Sequence, residues 1–209
     1  EGCSGGGGRF DAGMLYYCPQ IWCSDNTDAI ERLRIQYGTS FGYPMSSVSA
    51  HVSVCPNHQN HRVTPFKTRG ICAMQGTFGY ELDLSKMTDE EKKMAGEQIA
   101  FFKEHGRLFQ FGDYYRLTSP FENRDYTVWE YAAQDGSEAC MSVVYTDMYA
   151  NAASEIVKWK GLDPKKVYQM QLDGEDAGNF SGAALMHAGI LLPLPEQNYD
   201  AFQIYLKAE

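Results

Sequence analysis

Residues 3–29, CSGGGGRFDAGMLYYCPQIWCSDNTDA, hold the side chains of this chain best suited to chemistry. Asp25 closes an apolar run three residues after Trp22. An indole beside a carboxylic acid is a common way to hold a sugar ring, because ring C–H faces stack on aromatic surface. A carboxyl partly desolvated by such a neighbour has its pKa raised, as a general acid near neutral pH requires. The plainer role for Asp25 is a helix N-cap, but Thr27 and Asp28 are better placed to cap the segment that follows. That leaves Asp25 free to face a pocket.

The glycine run Gly5–Gly8 first suggests a phosphate cradle. A Walker loop needs a Lys after its last glycine, and here Arg9 and Phe10 follow. A dinucleotide fingerprint begun at Gly5 would need glycine where Phe10 stands. Both fail on spacing, and a linker would not run straight into FDAGMLYY. Two readings remain side by side. One is a strand-end loop whose backbone closes on a polyhydroxylated ligand, with the Cys3 and Ser4 side chains adding contacts. The other is a tight strand-to-helix turn without a ligand.

These groups need elements to position them. PQIWCSD reads as a short buried strand that delivers Asp25 at its C-terminal end. A helix over DAIERLRIQYGT follows, with Ile30, Leu33 and Tyr37 on one face. PMSSVSAHVSV and TRGICAMQGTFGYELD read as strands, the second with Gly76 and Gly79 at its exit. KMTDEEKKMAGEQIAFFKEHGRLF is a helix with a Thr88–Glu91 capping box, an apolar stripe of Met94, Ile99 and Phe102, and a stop at Gly106. The alternation predicts a parallel α/β arrangement over residues 1–111, whose functional groups cluster at the C-terminal ends of strands. After Gly112 the pattern changes to β-type runs with a hairpin at Asp135-Gly136, predicting an antiparallel β domain over residues 112–209.

Composition narrows the partners. The chain has 209 residues, 44% of them hydrophobic, which is enough for a sizeable core. A net charge of −9 argues against nucleic acid or an anionic membrane surface. No stretch approaches the roughly 20 apolar residues of a membrane-spanning helix. The six cysteines form no CxxC pair and several sit in apolar runs, so free thiols of a reducing cytoplasm are expected. Cys55, His58 and His61 in CPNHQNHR make a poor metal set, with no fourth ligand at a recognisable spacing. No metal or cofactor is expected. The start at Glu1 leads us to expect a piece of a longer protein.

The blocks CSGGGGRFDAGMLYY and PQIWCSDNTDAIERLRIQYGTSFGYP, followed by HVSVCPNHQ, RVTPFKTRG, AMQGTFGYELD, GDYYRL and GLDP, closely resemble glycoside hydrolase family 36, the bacterial and fungal α-galactosidases. The resemblance runs nearly end to end. It implies the C-terminal half of a TIM (β/α)8 barrel followed by an antiparallel β-sheet or sandwich domain. It implies a retaining α-galactosidase acting on α-1,6-galactosides of the melibiose and raffinose type, a bacterial cytoplasmic location and a homo-tetramer. On the family pattern Asp25 is the general acid/base, Cys3, Ser4, Gly5 and Gly6 form the galactose-binding loop, and Trp22 lines the sugar site.

Retention needs a second carboxylate roughly 5 Å from the first to attack the anomeric carbon. The family carries it in a KWD motif upstream of the glycine loop. This chain has only Lys158-Trp159-Lys160, in the β region, so the nucleophile is absent and the isolated chain is expected to be inactive. Asp11, Asp28 and Asp83 read as structural acids. Departures from the family include Gly2 for Asn, Cys23 for Ser or Thr, NHQNHR for NHQTGR, and SGAALMHAGI for SGDELMNAGL. An α-N-acetylgalactosaminidase or a raffinose-synthase-like transferase is the alternative within the superfamily. A non-catalytic carbohydrate-binding module is the alternative of a different class.

Overall fold

The computed structural model describes residues 1–209 except Ser4 and Gly6. The chain divides into two compact units, Glu1–Gln110 and Phe111–Glu209.

In the first unit, Gly2 forms a parallel bridge to Ile21. Helix α1 (Ala12–Tyr17) lies between them, its first turn capped by the Asp11 carboxylate accepting from Met14 N at 2.8 Å. Strand β1 (Ile21–Trp22) leads to helix α2 (Ala29–Thr39) and then to β2 (Val48–Ser49), which pairs with β1 in parallel. The chain runs on through β3 (Val52–Ser53), helix α3 (Phe66–Ala73) and β4 (Tyr80–Glu81), and β3 and β4 are again parallel. Parallel pairs joined through helices are the βαβ grammar expected for this region. Helix α4 (Asp89–Glu104) carries both halves of the Thr88–Glu91 capping box.

Four local expectations change. The segment TRGICA is helix α3, not strand: seven of the eight residues of α3 are fully buried, so no exposed face marks a helical period. Gly70 lets α4 approach it, since a Cβ there would fall within 2.4 Å of the Gln98 side chain. The buried face of α2 is Ala29, Arg32, Leu33 and Gln36 rather than Ile30, Leu33 and Tyr37. Gly106 does not stop the chain's helical course; His105 caps α4 and Gly106 opens helix α5 (Gly106–Phe111). Ile99 is solvent-exposed on α4, while Phe102 packs on Phe78 and Phe109.

The second unit is built on one antiparallel sheet of order β10-β9-β12-β7-β6-β5. Its strands are β5 (Asp113–Arg116), β6 (Tyr126–Ala132), β7 (Glu138–Tyr145), β9 (Val167–Leu172), β10 (Glu175–Ser181) and β12 (Ala201–Ala208). Gly136, at φ +62, closes the turn between β6 and β7 by donating its N–H to the Ala133 carbonyl. A ribbon of β8 (Ile156–Val157) and β11 (Ile190–Leu191), with helix α6 (Gly182–His187), supplies the second layer. Trp159, Leu162, Leu185 and Leu192 pack there against Val128, Met141, Val143 and Ile204 of the sheet. The covering layer is thus a ribbon and a short helix, not a second full sheet.

Candidate active site

Asp25 stands three residues beyond the C-terminal end of β1, solvent-exposed on the loop that enters α2. Arg32, one turn into α2, holds that loop from below. Its guanidinium is buried, and all five of its N–H groups are used. Nε donates to Gln36 Oε1 at 2.9 Å, Nη1 to the Ser24 and Asn26 carbonyls at 3.3 and 3.0 Å, and Nη2 to Ser49 O at 2.7 Å and Cys23 Sγ at 3.5 Å. Burial pulls the Arg32 pKa down and contact with Cys23 opposes the shift. Among the described residues no carboxylate lies within ion-pair distance of this cation. It ties the end of β1 to the end of β2 by satisfying backbone carbonyls.

From above, the loop is held by CPNHQNHR. The Gln59 amide oxygen accepts from Thr27 N at 2.8 Å and Thr27 Oγ1 at 3.1 Å, while its Nε2 donates to the Asp25 carbonyl at 3.0 Å. Asn57 Nδ2 donates to Thr27 Oγ1 at 3.0 Å. Asn60 Nδ2 donates to Asp28 Oδ2 at 2.9 Å, and Arg62 is ion-paired to the same oxygen. Sequence reading treated this stretch as a polar loop and missed the clamp. Its only signal in sequence was the density of amide side chains. Cys55, His58 and His61 are not gathered as ligands: Cys55 Sγ faces the Thr64 carbonyl at 3.6 Å, and both histidines are exposed.

Asp28 sits at the N-cap of α2, yet its carboxylate makes no cap hydrogen bond; Asn60 and Arg62 consume it. Thr27 likewise faces Gln59 and Asn57 instead of capping. Asp83 accepts from Ser85 N at the start of a 3₁₀ turn. Asp11, Asp28 and Asp83 therefore all have structural partners.

The glycine loop lies directly against the acid-bearing loop. Gly7 has φ +90, and a Cβ on it would fall 2.1 Å from the Cys23 carbonyl oxygen, two residues before Asp25. Gly8 closes a turn by donating to Gly5 O at 2.8 Å. Gly5 has φ +66 with nothing within 4 Å of its Cβ position, and Cys3 is exposed beside it. Ser4 and Gly6 lie outside the described residues. The glycines thus do two jobs: Gly7 permits backbone-on-backbone contact, and Gly5 presents an open backbone surface next to it.

Trp22 is half-buried, its ring set edge-on to His51 with centroids 4.8 Å apart, and the Arg32 guanidinium carbon lies 5.7 Å from its centroid. The desolvation expected at Asp25 falls elsewhere, because Asp25 is exposed and the buried titratable group beside the indole is His51. Burial, then Arg32 and His58, pull the His51 pKa down to about 4, so its ring is neutral at neutral pH. The site brings together an exposed carboxyl, an indole, a neutral imidazole and an open glycine backbone. Hydrogen-bonding groups around an aromatic ring suit a neutral polyol such as a sugar.

A carboxyl on a strand-exit loop, with an indole and a glycine loop beside it, suits a protein of the carbohydrate-active class. Residues 1–112 match the Melibiase family and residues 126–206 match the glycosyl hydrolase family 36 C-terminal domain. The chain belongs to glycoside hydrolase family 36, the α-galactosidases, and corresponds to their C-terminal part. It is 54% identical over 203 residues to the bifunctional α-galactosidase/sucrose kinase AgaSK of Mediterraneibacter gnavus, covering 97% of this chain and 21% of that protein. It is 50% identical over 208 residues to α-galactosidase AgaA of Geobacillus stearothermophilus, covering 100% of this chain and 28% of that protein. The solved AgaA structure superposes with a TM-score of 0.94 at 50% identity, over 99% of this chain and 28% of AgaA. A variant of AgaA solved with raffinose gives 0.93 at 49% identity, with the same shares covered. The chain therefore spans about a quarter of the length of the relatives it matches.

Proposed function

We propose that this chain is the part of a retaining α-galactosidase that carries the general acid/base, Asp25. The nucleophile belongs to a segment outside these residues, and residues 1–111 form the second half of a (β/α)8 barrel. In the first step Asp25 gives its proton to the glycosidic oxygen while the nucleophile attacks the anomeric carbon. In the second it takes a proton from water as water releases galactose. The substrates are terminal α-1,6-galactosides of the melibiose and raffinose type. Variants of one relative, AgaA, solved with raffinose and with stachyose support this class.

The observation that carries the reading is the double hold on the Asp25 loop, from Arg32 on one side and Gln59 on the other, with Gly7 packed against it. A helix cap would need no such framework, whereas a proton donor must be fixed within a fraction of an ångström. Cys3, Gly5 and Trp22 receive the sugar, as do Ser4 and Gly6 by the family pattern. A reducing, cytoplasmic location goes with this reading, supported by six unpaired cysteines.

The test is Asp25→Asn in the full-length enzyme. Turnover of melibiose is expected to fall at least a thousandfold, and turnover of p-nitrophenyl α-D-galactoside, whose leaving group needs little protonation, to fall far less in its glycosylation step. Wild-type turnover of melibiose by this variant would sink the assignment.

A further inference from the structure

The sheet face that carries Trp22 holds a second carboxylate, Glu81 of the AMQGTFGYELD block, to which the family pattern above gives no role. Val52 and Tyr80 pack with Phe66, Ala73, Met87 and Ala95 of the helical layer. Side chains alternate along a strand, so His51, Ser53 and Glu81 face away from the helices, the side on which His51 meets Trp22. His51 is 7% exposed, and both of its ring nitrogens are buried without a hydrogen-bond partner. Its Nε2 stands 3.5 Å from Glu81 Oε2, whose side chain is 68% exposed. A buried imidazole in wait beside an exposed carboxylate is a costly arrangement for packing alone.

We infer that Glu81 is a substrate-contacting carboxylate on the leaving-group side of the site, and that His51 is the positioning residue that orients it. This rests on the α-galactosidase reading above. The side follows from strand order. Gly2 neighbours β1, β1 neighbours β2, and β3, continuing the same segment, neighbours β4. Asp25, on the loop beyond β1, and Glu81, at the end of β4, thus belong to strand positions two apart in this order. With galactose over the glycine loop and its glycosidic oxygen at Asp25, the departing sugar lies toward β4. There Glu81 accepts hydrogen bonds from that sugar's hydroxyls. The neutral imidazole keeps one N–H, and with the proton on Nε2 it offers that N–H to Glu81 Oε2, 3.5 Å away, a hydrogen bond that substrate binding would complete.

The test uses the full-length enzyme with Glu81→Gln, His51→Phe and the double variant. Melibiose has a hydroxylated leaving group; p-nitrophenyl α-D-galactoside does not. The ratio of kcat/KM on melibiose to kcat/KM on the nitrophenyl substrate is expected to fall about tenfold in each single variant, the worth of one charge-assisted hydrogen bond. The double variant is expected to fall no further than either single one. A ratio within twofold of wild type for Glu81→Gln overturns the contact, and multiplying single effects overturn the role of His51. Should His51→Phe fail to fold, His51→Gln returns an amide N–H near the Nε2 position. It is expected to hold the wild-type ratio, and a tenfold fall there would equally overturn the role. If the unaltered enzyme turns over neither galactoside, the proposed function fails and this inference fails with it.

Discussion

Replacing Gln59 by alanine isolates the clamp on the acid-bearing loop. Three hydrogen bonds are lost: two accepted from Thr27, at 2.8 and 3.1 Å, and one donated to the Asp25 carbonyl at 3.0 Å. At about 1 kcal/mol net each they would sum to about 3 kcal/mol, but water reaches these groups, so about 1–2 kcal/mol is the better figure. That loss falls on the loop and not on the core, because Arg32 still ties Ser24 and Asn26 to Ser49 from the buried side. A loop freed by about 1.4 kcal/mol spends about a tenth as much time correctly placed. Gln59→Ala in the full-length enzyme should therefore lower kcat/KM on melibiose about tenfold with little change in Tm. The loss on p-nitrophenyl α-D-galactoside should be smaller, since that leaving group relies less on the proton donor. An equal loss on both substrates would show that Gln59 serves sugar binding and not the acid. A loss under twofold on melibiose would refute the clamp altogether.

Two further outcomes follow from the geometry. Gly7→Ala places a Cβ 2.1 Å from the Cys23 carbonyl and must push the Asp25 loop, whereas Gly5→Ala meets only backbone strain at φ +66. The Tm should fall further for Gly7→Ala than for Gly5→Ala, and equal falls would contradict the packing argument. In the second unit, Glu130 lies fully buried on the apolar face of β6, both carboxylate oxygens within reach of Lys160 N–H, and burial pushes its pKa up to about 8. An acid whose folded pKa is raised binds its proton more tightly in the folded state, so its stabilisation is complete below about 4.5. It is lost as pH climbs from there through about 8, with an upper bound of about 5 kcal/mol. Denaturant unfolding of the full chain, followed at Trp129 and Trp159, should lose stability across that window in the wild type. Glu130→Gln should flatten the dependence; identical slopes in the two proteins would show that Glu130 does not titrate there.

Much of the site was legible because its signals are local. The capping box of Thr88 and Glu91 and the Asp135-Gly136 turn each depend on neighbours within a few residues, and each stands where the pattern puts it; the strand before Asp25 is there too, but it is shorter than PQIWCSD and leaves Asp25 on the loop beyond it. The misreadings share one cause. Helix α3 is buried on every side, so its apolar run carries no period to tell helix from strand. Asp28 has the right type and position for a cap, but Arg62, thirty-four residues on, competes for its carboxylate and wins. The Trp22 ring was expected to cover Asp25, yet a histidine from the neighbouring strand takes its edge.

Sequence by itself determined which groups exist and the order in which strand ends present them: the glycine loop, then Asp25, then the amide-rich loop. Those follow from spacing along the chain, which folding does not alter. Only the tertiary structure decided what those groups touch. Gln59 reaches Asp25 across thirty-four positions, Arg32 spends its guanidinium on carbonyls of two strands, and His51 meets Glu81 across thirty. Hydrogen bonds depend on distance and direction to within tenths of an ångström. That precision arises only when separate segments are packed together, so no single stretch of sequence contains it.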